Sequence, residues 1–367
     1  MKRCLTLATL SLLFFSACSP SQPTPGGGTA APPKGNSGSS KPPVFSLAWS
    51  EYPSWSVFGV AEAQGLLDGK EGKLGDIEKK WNVDIVLKQV DYDTCITFYG
   101  SNQADAVCIT NMDTLGPASS RASVCILPTS TSVGADACIA VGIENLDQLA
   151  GKVTRGLERS VSQYAFERLL VLKGKKPSDY PFENMDPAAA ATAVQNGDTK
   201  VQSIMVWNPF VMQTLRDQKK AKLLFDSSDI PEEIIDMVVV GKDSLAKPGA
   251  KQFAYAVIET YYEINKRLAD PKRGEETLKG IGELFSKLPI EDMKKIVEQT
   301  RFYKTPEEAL KLLEGDKFRK ETMPAVVKFC VEHKIVEKEP TVGFDAPAAE
   351  FNFDLSYIKA IRDGVKP

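Results

Sequence analysis

The sequence predicts an α/β protein built from two lobes, and three observations support this. Its 367 residues exceed what a single hydrophobic core usually serves. From Val44 onward, short apolar runs alternate with helix-like stretches, a pattern typical of βαβ units around parallel sheets. Thr, Ser and Gly residues separate the apolar runs at 122–126 and 137–141, where the chain can cross between lobes through a hinge.

The alternation assigns most elements before residue 240. Strands are expected at 44–49, 83–90, 104–110, 122–126, 137–141, 152–157, 201–207 and 234–240. Helices are expected at 57–67, 94–102, 145–150, 160–173 and 188–195. Gly174 follows the fourth helix as a C-terminal cap, and Pro209 is expected in the first turn of another helix.

The last third of the chain is expected to be helical and to pack around one lobe. Amphipathic stretches at 251–268 and 290–299 predict two of its helices. Thr305 and Glu308 have the spacing of a capping box ahead of the apolar residues 309–313.

The N-terminal residues predict export. Lys2 and Arg3 precede an apolar run at 5–15, which has the length of a signal peptide. Ser16 and Ala17 then lead to Cys18, which resembles the lipidation site of bacterial lipoproteins, although a plain secretory signal cut near Ala17 is the alternative.

Residues 19–43 are almost entirely small, polar or Pro, so they are expected to form a tether that spans roughly 28 Å as a flexible coil. The expected organisation is a signal peptide at 1–17, an anchored tether at 18–43, lobe 1 at 44–136 and 239–367, and lobe 2 at 137–238.

Composition excludes several classes of function. The formal net charge is −3 and no block of Lys or Arg occurs, which disfavours a nucleic-acid binder. His333 is the only His, so we expect neither His-dependent catalysis nor a multi-His metal site, and we expect no cofactor. The cysteines beyond the first two lack metal-type spacing, and they are consistent either with a disulfide or with buried free thiols. They are Cys95, Cys108, Cys125, Cys138 and Cys330.

Ligands of open parallel sheets bind beyond the carboxyl ends of the strands, and polar or aromatic residues follow four of the expected strands. The candidate ligand-binding residues at these ends are Glu51, Tyr52, Trp55, Asn111, Asp113, Glu158, Ser160, Trp207 and Asn208. Carboxylates beside aromatic rings suit a cation or a neutral molecule rich in N–H groups. Arg121 and Arg159 are the only bases nearby. Alternatively, the acids cap helices and each Trp belongs to a core.

Four segments carry a resemblance to a known family. They are 104–115 (ADAVCITNMDTL), 158–164 (ERSVSQY), 206–210 (VWNPF) and 225–240 (FDSSDIPEEIIDMVVV). In these segments the chain resembles periplasmic binding proteins of the nitrate/sulfonate/taurine group of ABC transporters. More narrowly, it is similar to the branch of urea-carboxylase-associated binding proteins. In place of that branch's Trp-rich segment, this chain reads EYPSW at 51–55.

The resemblance implies a type II periplasmic-binding-protein fold, with two lobes, a hinge and an interlobe cleft. It also implies that Glu233 or Asp236 lies at or near the ligand. The implied partners are a small-molecule ligand, an ABC permease and its ATPase, with a monomeric protein lipid-anchored to a membrane in the periplasm or cell envelope.

We therefore expect a non-enzymatic binding lipoprotein of an ABC importer that captures a guanidine- or urea-like solute by hinge closure. One alternative is a receptor for sulfonate, nitrate or bicarbonate, which would use Arg121 or Arg159. Others are a sensory or adaptor lipoprotein and, with little support, an enzyme related to thiamine-pyrimidine synthesis.

Overall fold

The computed structural model describes residues 41–285 and 288–367. The expected signal peptide, Cys18 and nearly all of the expected tether lie outside the described residues. No helix among residues 41–285 and 288–367 combines the length and the apolar character needed to cross a membrane.

The described chain forms thirteen strands. They are β1 (Val44–Trp49), β2 (Asp84–Gln89), β3 (Ala106–Thr110), β4 (Ser123–Ser132), β5 (Asp136–Val141), β6 (Thr154–Gly156), β7 (Phe182–Asn184), β8 (Ser203–Trp207), β9 (Ala221–Asp226), β10 (Ile235–Gly241), β11 (Thr300–Phe302), β12 (Val342–Phe344) and β13 (Phe351–Phe353).

Fifteen α-helices connect and cover these strands. They are α1 (Val57–Ala63), α2 (Asp76–Trp81), α3 (Tyr92–Gly100), α4 (Leu115–Ala118), α5 (Leu146–Leu149), α6 (Val161–Leu172), α7 (Pro187–Gln195), α8 (Phe210–Asp217), α9 (Lys242–Leu245), α10 (Ala250–Ala269), α11 (Gly274–Leu284), α12 (Ile290–Gln299), α13 (Pro306–Glu314), α14 (Met323–Glu332) and α15 (Ser356–Arg362).

The strands divide into two sheets, one in each lobe. The sheet of lobe 1 has the order β12-β13-β4-β10-β3-β1-β2, and β11 adds to the far end of β4. The sheet of lobe 2 has the order β7-β6-β8-β5-β9. In lobe 1, β1 runs parallel to β2 and β3, and in lobe 2, β6 runs parallel to β7 and β8. The βαβ pattern thus produces a parallel region in each lobe.

Local sequence explains where α6 begins and ends. Ser160 precedes it, and the Ser160 hydroxyl accepts a hydrogen bond from the Ser162 amide, which otherwise lacks a partner at the helix start. At the other end, Gly174 has a φ of +69°, a conformation that costs Gly little. The Lys175 amide then donates to the Leu170 carbonyl at 2.9 Å and closes the last turn.

The core of lobe 1 lies between its sheet and α10. Phe45 on β1 stacks on Phe253 of α10 with ring centroids 4.7 Å apart. Both rings are fully buried, and burying a Phe side chain stabilises the fold by about 2 to 3 kcal/mol. This packing holds the carboxyl ends of β1 and β3 at one edge of lobe 1.

Two short crossings join the lobes, from β4 to β5 and from β9 to β10. Ser227 connects them, because its hydroxyl lies 2.6 Å from the Ser132 hydroxyl and accepts a hydrogen bond from the Gly134 amide at 2.8 Å. Gly134 has a φ of +96°, a conformation that favours Gly. The Gln299 carbonyl accepts a hydrogen bond from the Val133 amide at 2.7 Å. The hinge is therefore a hydrogen-bonded unit of both crossings and the end of α12.

Several sequence expectations need correction. The last third is not wholly helical, since β11, β12 and β13 from this region join the sheet of lobe 1. Their three-residue length gives no periodicity from which a strand can be recognised. β7 and β9 were also not predicted. β7 has only three residues, and β9 is partly exposed and has a single buried residue.

Two expected helix starts also differ in detail. Thr305 does cap α13 by accepting a hydrogen bond from the Glu308 amide, but the Glu308 carboxylate accepts from the Lys304 amide, so the capping box is incomplete. Pro209 is the N-cap residue of α8 rather than a residue of its first turn.

We predict that Ser227→Ala destabilises the protein by roughly 1 to 3 kcal/mol, because it leaves buried hydrogen-bonding partners in both crossings unsatisfied. Thermal unfolding of the domain that begins at residue 41 measures this loss. The control is Ser178→Ala, which alters an exposed hydroxyl. Equal stability of the two variants would contradict a structural role for the Ser227 hydroxyl.

Candidate ligand-binding site

A small cavity lies where the two lobes meet, with about 20 Å³ of volume open to the centre of a water-sized molecule. Its lining residues come from the ends or beginnings of elements in both lobes and from the crossings. They are Tyr52, Trp55, Tyr92, Thr110, Asp136, Val161, Trp207, Ile234 and Asp236. The carboxyl ends of β1, β3 and β8 all reach this cavity, which is where ligands of parallel sheets bind.

Aromatic rings form a continuous wall from lobe 1 to lobe 2. The rings of Tyr52 and Trp55 have centroids 4.9 Å apart, and Trp55 stacks on Tyr92 at 5.4 Å. Tyr92 in turn meets Trp207 of lobe 2 edge-on at 5.9 Å. These rings present π faces, which attract cations.

Two carboxyl groups line the cavity, and a third lies directly behind it. Asp236 is on β10 and its carboxylate accepts a hydrogen bond of 2.5 Å from the Ser130 hydroxyl. Asp136 opens β5 in lobe 2. The side chain of Asp113 accepts hydrogen bonds from the Tyr92 hydroxyl at 2.7 Å and from the Val161 amide at 3.1 Å. Asp113 of lobe 1 thereby contacts the first residue of α6 in lobe 2.

Burial makes ionisation of these carboxyls costly. Asp113, Asp136 and Asp236 are 6%, 3% and 2% exposed. Desolvation raises the pKa of Asp113 to about 6, although the hydrogen bonds that it accepts from Tyr92, Thr110 and Val161 lower this pKa. Desolvation, with a smaller contribution from the Asp113 charge, also raises the pKa of Asp136 to about 6. The pKa of Asp236 lies well above its ordinary value, first through desolvation and then through the Asp136 and Asp113 charges.

No base balances these acids within the lining of the cavity. Arg168 instead forms a two-pronged ion pair with Glu233, at 2.8 and 2.9 Å. Arg121 pairs with Asp243 in lobe 1, and the guanidinium of Arg159 donates to the Lys334 carbonyl. The cavity therefore carries unbalanced negative charge whenever its carboxyls are ionised.

Two donors of the aromatic wall have no hydrogen-bond partner among the described residues. They are the Tyr52 hydroxyl and the Trp55 indole N–H. Tyr52 is 4% exposed and Trp55 is 3% exposed. Both donors are available to an acceptor atom in the cavity, since buried polar atoms are nearly always satisfied. The Tyr52 hydroxyl is also close enough to Asp236 to lower the pKa of that carboxyl.

The structure brings together only some of the residues expected from sequence. Tyr52, Trp55, Trp207 and Asp236 line the cavity, and Asp113 lies one hydrogen bond behind it. The expected convergence of Glu158 with them is wrong, because Glu158 is exposed beyond the end of β6 and is not in the lining.

Glu51 is half-buried and also lies outside the lining. Desolvation by burial raises its pKa, and the nearby charges of Asp91 and Asp186 add to this effect.

Four other candidates are occupied by internal contacts. The side chain of Asn111 donates to the Glu233 carbonyl and accepts from the Ile235 amide, which fixes the start of β10. Asn208 donates to the Gln299 side chain at 2.8 Å. Ser160 caps α6.

Glu233 is the fourth of these candidates, and it pairs with Arg168 and Tyr164. These residues position the cavity, while their own polar atoms bond to the protein.

Sequence analysis missed five lining residues: Tyr92, Thr110, Asp136, Val161 and Ile234. Thr110 is the last residue of β3, so the rule that ligands bind at the carboxyl ends of strands points to it as well. Asp136 follows the hinge residues and was placed outside the strand that it opens. For Val161 and Ile234 the sequence carries no signal beyond apolar character.

The two lobes also meet along α6 and the end of α14. Phe329 contacts Tyr164 edge-on, with ring centroids 5.3 Å apart. The His333 imidazole lies 3.0 Å from the Glu167 carboxylate and 3.2 Å from the Gln163 amide nitrogen. These contacts, with that of Asp113, hold the lobes against each other and enclose the cavity.

The cysteines are free, buried thiols in the described chain: Cys95, Cys108, Cys125, Cys138 and Cys330. Burial raises the pKa of the Cys95 and Cys330 thiols to about 12, which keeps them protonated and poorly nucleophilic. Among the described residues, no group of three His, Cys, Asp or Glu side chains is arranged to hold a metal ion.

We predict that the ligand-free domain gains stability from Asp136 as the pH falls from 7 to 5. A raised carboxyl pKa means that the folded state binds more protons than the unfolded state in this window, so the cost of the charge is relieved on acidification. For a pKa of about 6 the gain is about 1 kcal/mol.

Thermal unfolding at both pH values of wild type and Asp136→Asn isolates this contribution, because other titrating groups are common to both. The exposed Asp76→Asn variant is the control. An identical pH dependence in wild type and Asp136→Asn would show that Asp136 titrates normally.

No protein-family model and no curated protein sequence matches this chain. Solved structures do match. The alkanesulfonate-binding protein SsuA from Xanthomonas axonopodis pv. citri, bound to MOPS, superposes with a TM-score of 0.63 at 12% identity, over 82% of this chain and 96% of that one. The aliphatic sulphonate binding protein SsuA from Escherichia coli gives 0.61 at 17% identity, over 81% and 95%.

A Candida albicans protein with the generic periplasmic binding protein fold gives a TM-score of 0.59 at 15% identity, over 81% of this chain and 92% of that one. At these identities the likeness concerns architecture. The chain has the two-lobe, type II periplasmic-binding-protein fold that the sequence predicted.

Proposed function

We propose that this chain is the solute-binding component of an ABC importer and that it encloses its ligand between the two lobes. The cavity at the lobe interface carries this proposal, because its lining is drawn from both lobes and from the crossings. Two of the structural neighbours named above are sulfonate-binding proteins, which supports the same role. Closure around a ligand is then driven by contacts that exist only when the lobes meet.

We infer further that the ligand is a small cation or an N–H-rich neutral molecule such as guanidinium or urea. Asp136 and Asp236 supply acceptors for N–H groups, and the aromatic wall supplies π faces. The unpartnered Tyr52 hydroxyl and Trp55 N–H supply donors for a ligand acceptor or lone pair. Urea has N–H groups for the carboxyls and a carbonyl oxygen for the Tyr52 and Trp55 donors. Guanidinium has N–H groups and a positive charge that complements the carboxylates.

The size of the cavity also favours a ligand of few atoms. A volume of about 20 Å³ for water-sized centres is little more than one water molecule requires. Urea or guanidinium, each with four heavy atoms, would require a small separation of the lobes from the arrangement described here, and a ligand with a long aliphatic or ring portion would require a larger one.

The alternative ligand class is a small anion, and the structural neighbours favour it. Two of them are named for binding alkanesulfonate or aliphatic sulphonate. Against it stands the chemistry of the cavity, which has two carboxyls and no base in its lining. An anion site would need Arg159 or Arg168 to leave its present partner.

Other roles have less support. A sensory or adaptor protein would bind its ligand in the same cavity and differ only in its partner. An enzyme related to thiamine-pyrimidine synthesis would need a His and clustered cysteines at the site. His333 instead pairs with Glu167 at the lobe contact, and the described thiols are buried.

We propose that the protein acts as a monomer with a permease and its ATPase, exported by residues 1–17 and anchored through Cys18. The small, polar residues that follow would then tether the lobes to a membrane of the cell envelope.

To test the ligand class, thermal shift and calorimetry of the domain are measured with guanidinium, methylammonium, urea, taurine and nitrate at matched ionic strength. We expect stabilisation by guanidinium or urea, at about 2.7 kcal/mol for a hundredfold excess over the dissociation constant. Asp236→Asn should weaken guanidinium binding at least about tenfold through loss of a charge-assisted contact. Binding of taurine or nitrate alone would overturn the cationic proposal and favour the anion alternative.

Anchoring is tested in the full chain expressed in a bacterium that processes lipoproteins. We expect wild type in the membrane fraction and labelled by a fatty acid, and Cys18→Ser released as a soluble exported protein. The Cys4→Ser variant is the control, since Cys4 lies within the expected signal peptide. Release of wild type in the same form as Cys18→Ser would favour the plain secretory signal.

A further inference from the structure

We propose that Asp136 determines the charge of the ligand and couples ligand binding to closure of the lobes. This rests on the proposed function, namely that the interlobe cavity holds a small solute. It assigns a specific task to one carboxyl that follows from its position in the hinge.

Asp136 and Asp236 occupy matching positions after the two crossings. Asp136 is the first residue of β5, where the chain enters lobe 2, and Asp236 is the second residue of β10, where it has returned to lobe 1. Both line the cavity. A cation between them would therefore contact both lobes at the hinge.

The backbone of Asp136 belongs to the hinge itself. Its amide donates to the Ser132 hydroxyl at 3.2 Å and to the Ser227 hydroxyl at 3.3 Å. These two hydroxyls join the crossings to each other. A ligand that binds the Asp136 carboxylate therefore interacts directly with a residue of the hinge.

The three carboxyls differ in how their charge is stabilised by the protein. Asp113 accepts hydrogen bonds from Tyr92, Thr110 and Val161. Asp236 accepts a short hydrogen bond from Ser130. Asp136 has only the nearby Ser132 hydroxyl to favour its charged form. Asp236 is also poorly stabilised as a carboxylate, since its pKa lies well above its ordinary value. Both lining carboxylates therefore gain from a positively charged ligand, and Asp136 is set apart because its backbone belongs to the hinge.

Repulsion among these groups acts across the lobe interface. The Asp113 charge raises the pKa of Asp136, and the Asp136 charge raises the pKa of Asp236. Asp136 lies in lobe 2 and the other two lie in lobe 1, so bringing the lobes together brings like charges together. A bound monocation removes this repulsion, whereas a neutral molecule of the same shape leaves it. Closure is therefore selective for positive charge.

The test compares wild type, Asp136→Asn and the exposed control Asp76→Asn at pH 7.5. Calorimetry gives affinities for guanidinium and for urea, and small-angle scattering gives the compactness of each ligand-free domain. We expect wild type and the control to prefer guanidinium over urea by about tenfold or more. We expect Asp136→Asn to lose or reverse that preference and to be more compact without ligand than wild type. Asp136→Ser provides a second variant if Asp136→Asn does not fold.

An unchanged preference for guanidinium in the Asp136 variants would overturn the role of Asp136 and leave the proposed function intact. Failure of wild type to bind either compound would overturn the proposed ligand class and this inference with it. If neither variant folds, wild type alone can test the inference. At pH 6 a bound cation favours the ionised carboxylate, so guanidinium binding is expected to release protons, which calorimetry in two buffers of different ionisation enthalpy measures. Binding without proton release would contradict the inference.

Discussion

The burial of carboxyl groups without a compensating base is the constraint on which the rest of this structure depends. Taking a carboxylate out of water is costly unless it is paired or hydrogen-bonded, and the cavity lined by Asp136 and Asp236 has no base in its lining to balance them. Such an arrangement is stable when another group balances the buried negative charge. In the function proposed here, a ligand at the junction of the two lobes supplies the balancing contacts, so the electrostatic cost of the buried carboxyls contributes to recognition.

The fold explains why the carboxyls meet there. Parallel strands in both lobes end at the interface, and the antiparallel pair of β4 and β10 carries the chain across it twice. The Ser227 hydroxyl ties the crossings together, while α6 presents its first residue to Asp113 and its outer face to His333. Hinge, aromatic wall and lobe contact are thus one connected structure, in which a change at the cavity is transmitted over a few hydrogen bonds.

Sequence predicted the architecture well and the site in part, for physical reasons. Periodicity and apolar runs identify the long core elements, so β1, β3, α6 and α12 agree closely with expectation. Strands of three residues, such as β12 and β13, have no periodicity and depend on tertiary pairing. Strand ends located Tyr52, Trp55 and Trp207. The positions of strand ends could not show that the Asn111 side chain bonds to the Glu233 carbonyl or that Glu158 is exposed to solvent. Such side-chain contacts are determined only in the folded chain. Asp136 was missed because it lies between hinge and strand.

The central claim is that a small cation occupies the space between Asp136 and Asp236. A crystal structure of the domain grown with guanidinium at neutral pH tests this most directly. We expect planar density between the two carboxylates, against the Trp55 and Tyr92 rings, with the Tyr52 hydroxyl and Trp55 N–H at the rim of the site. An empty cavity with the lobes closed, or a bound anion held by Arg159 or Arg168, would contradict it.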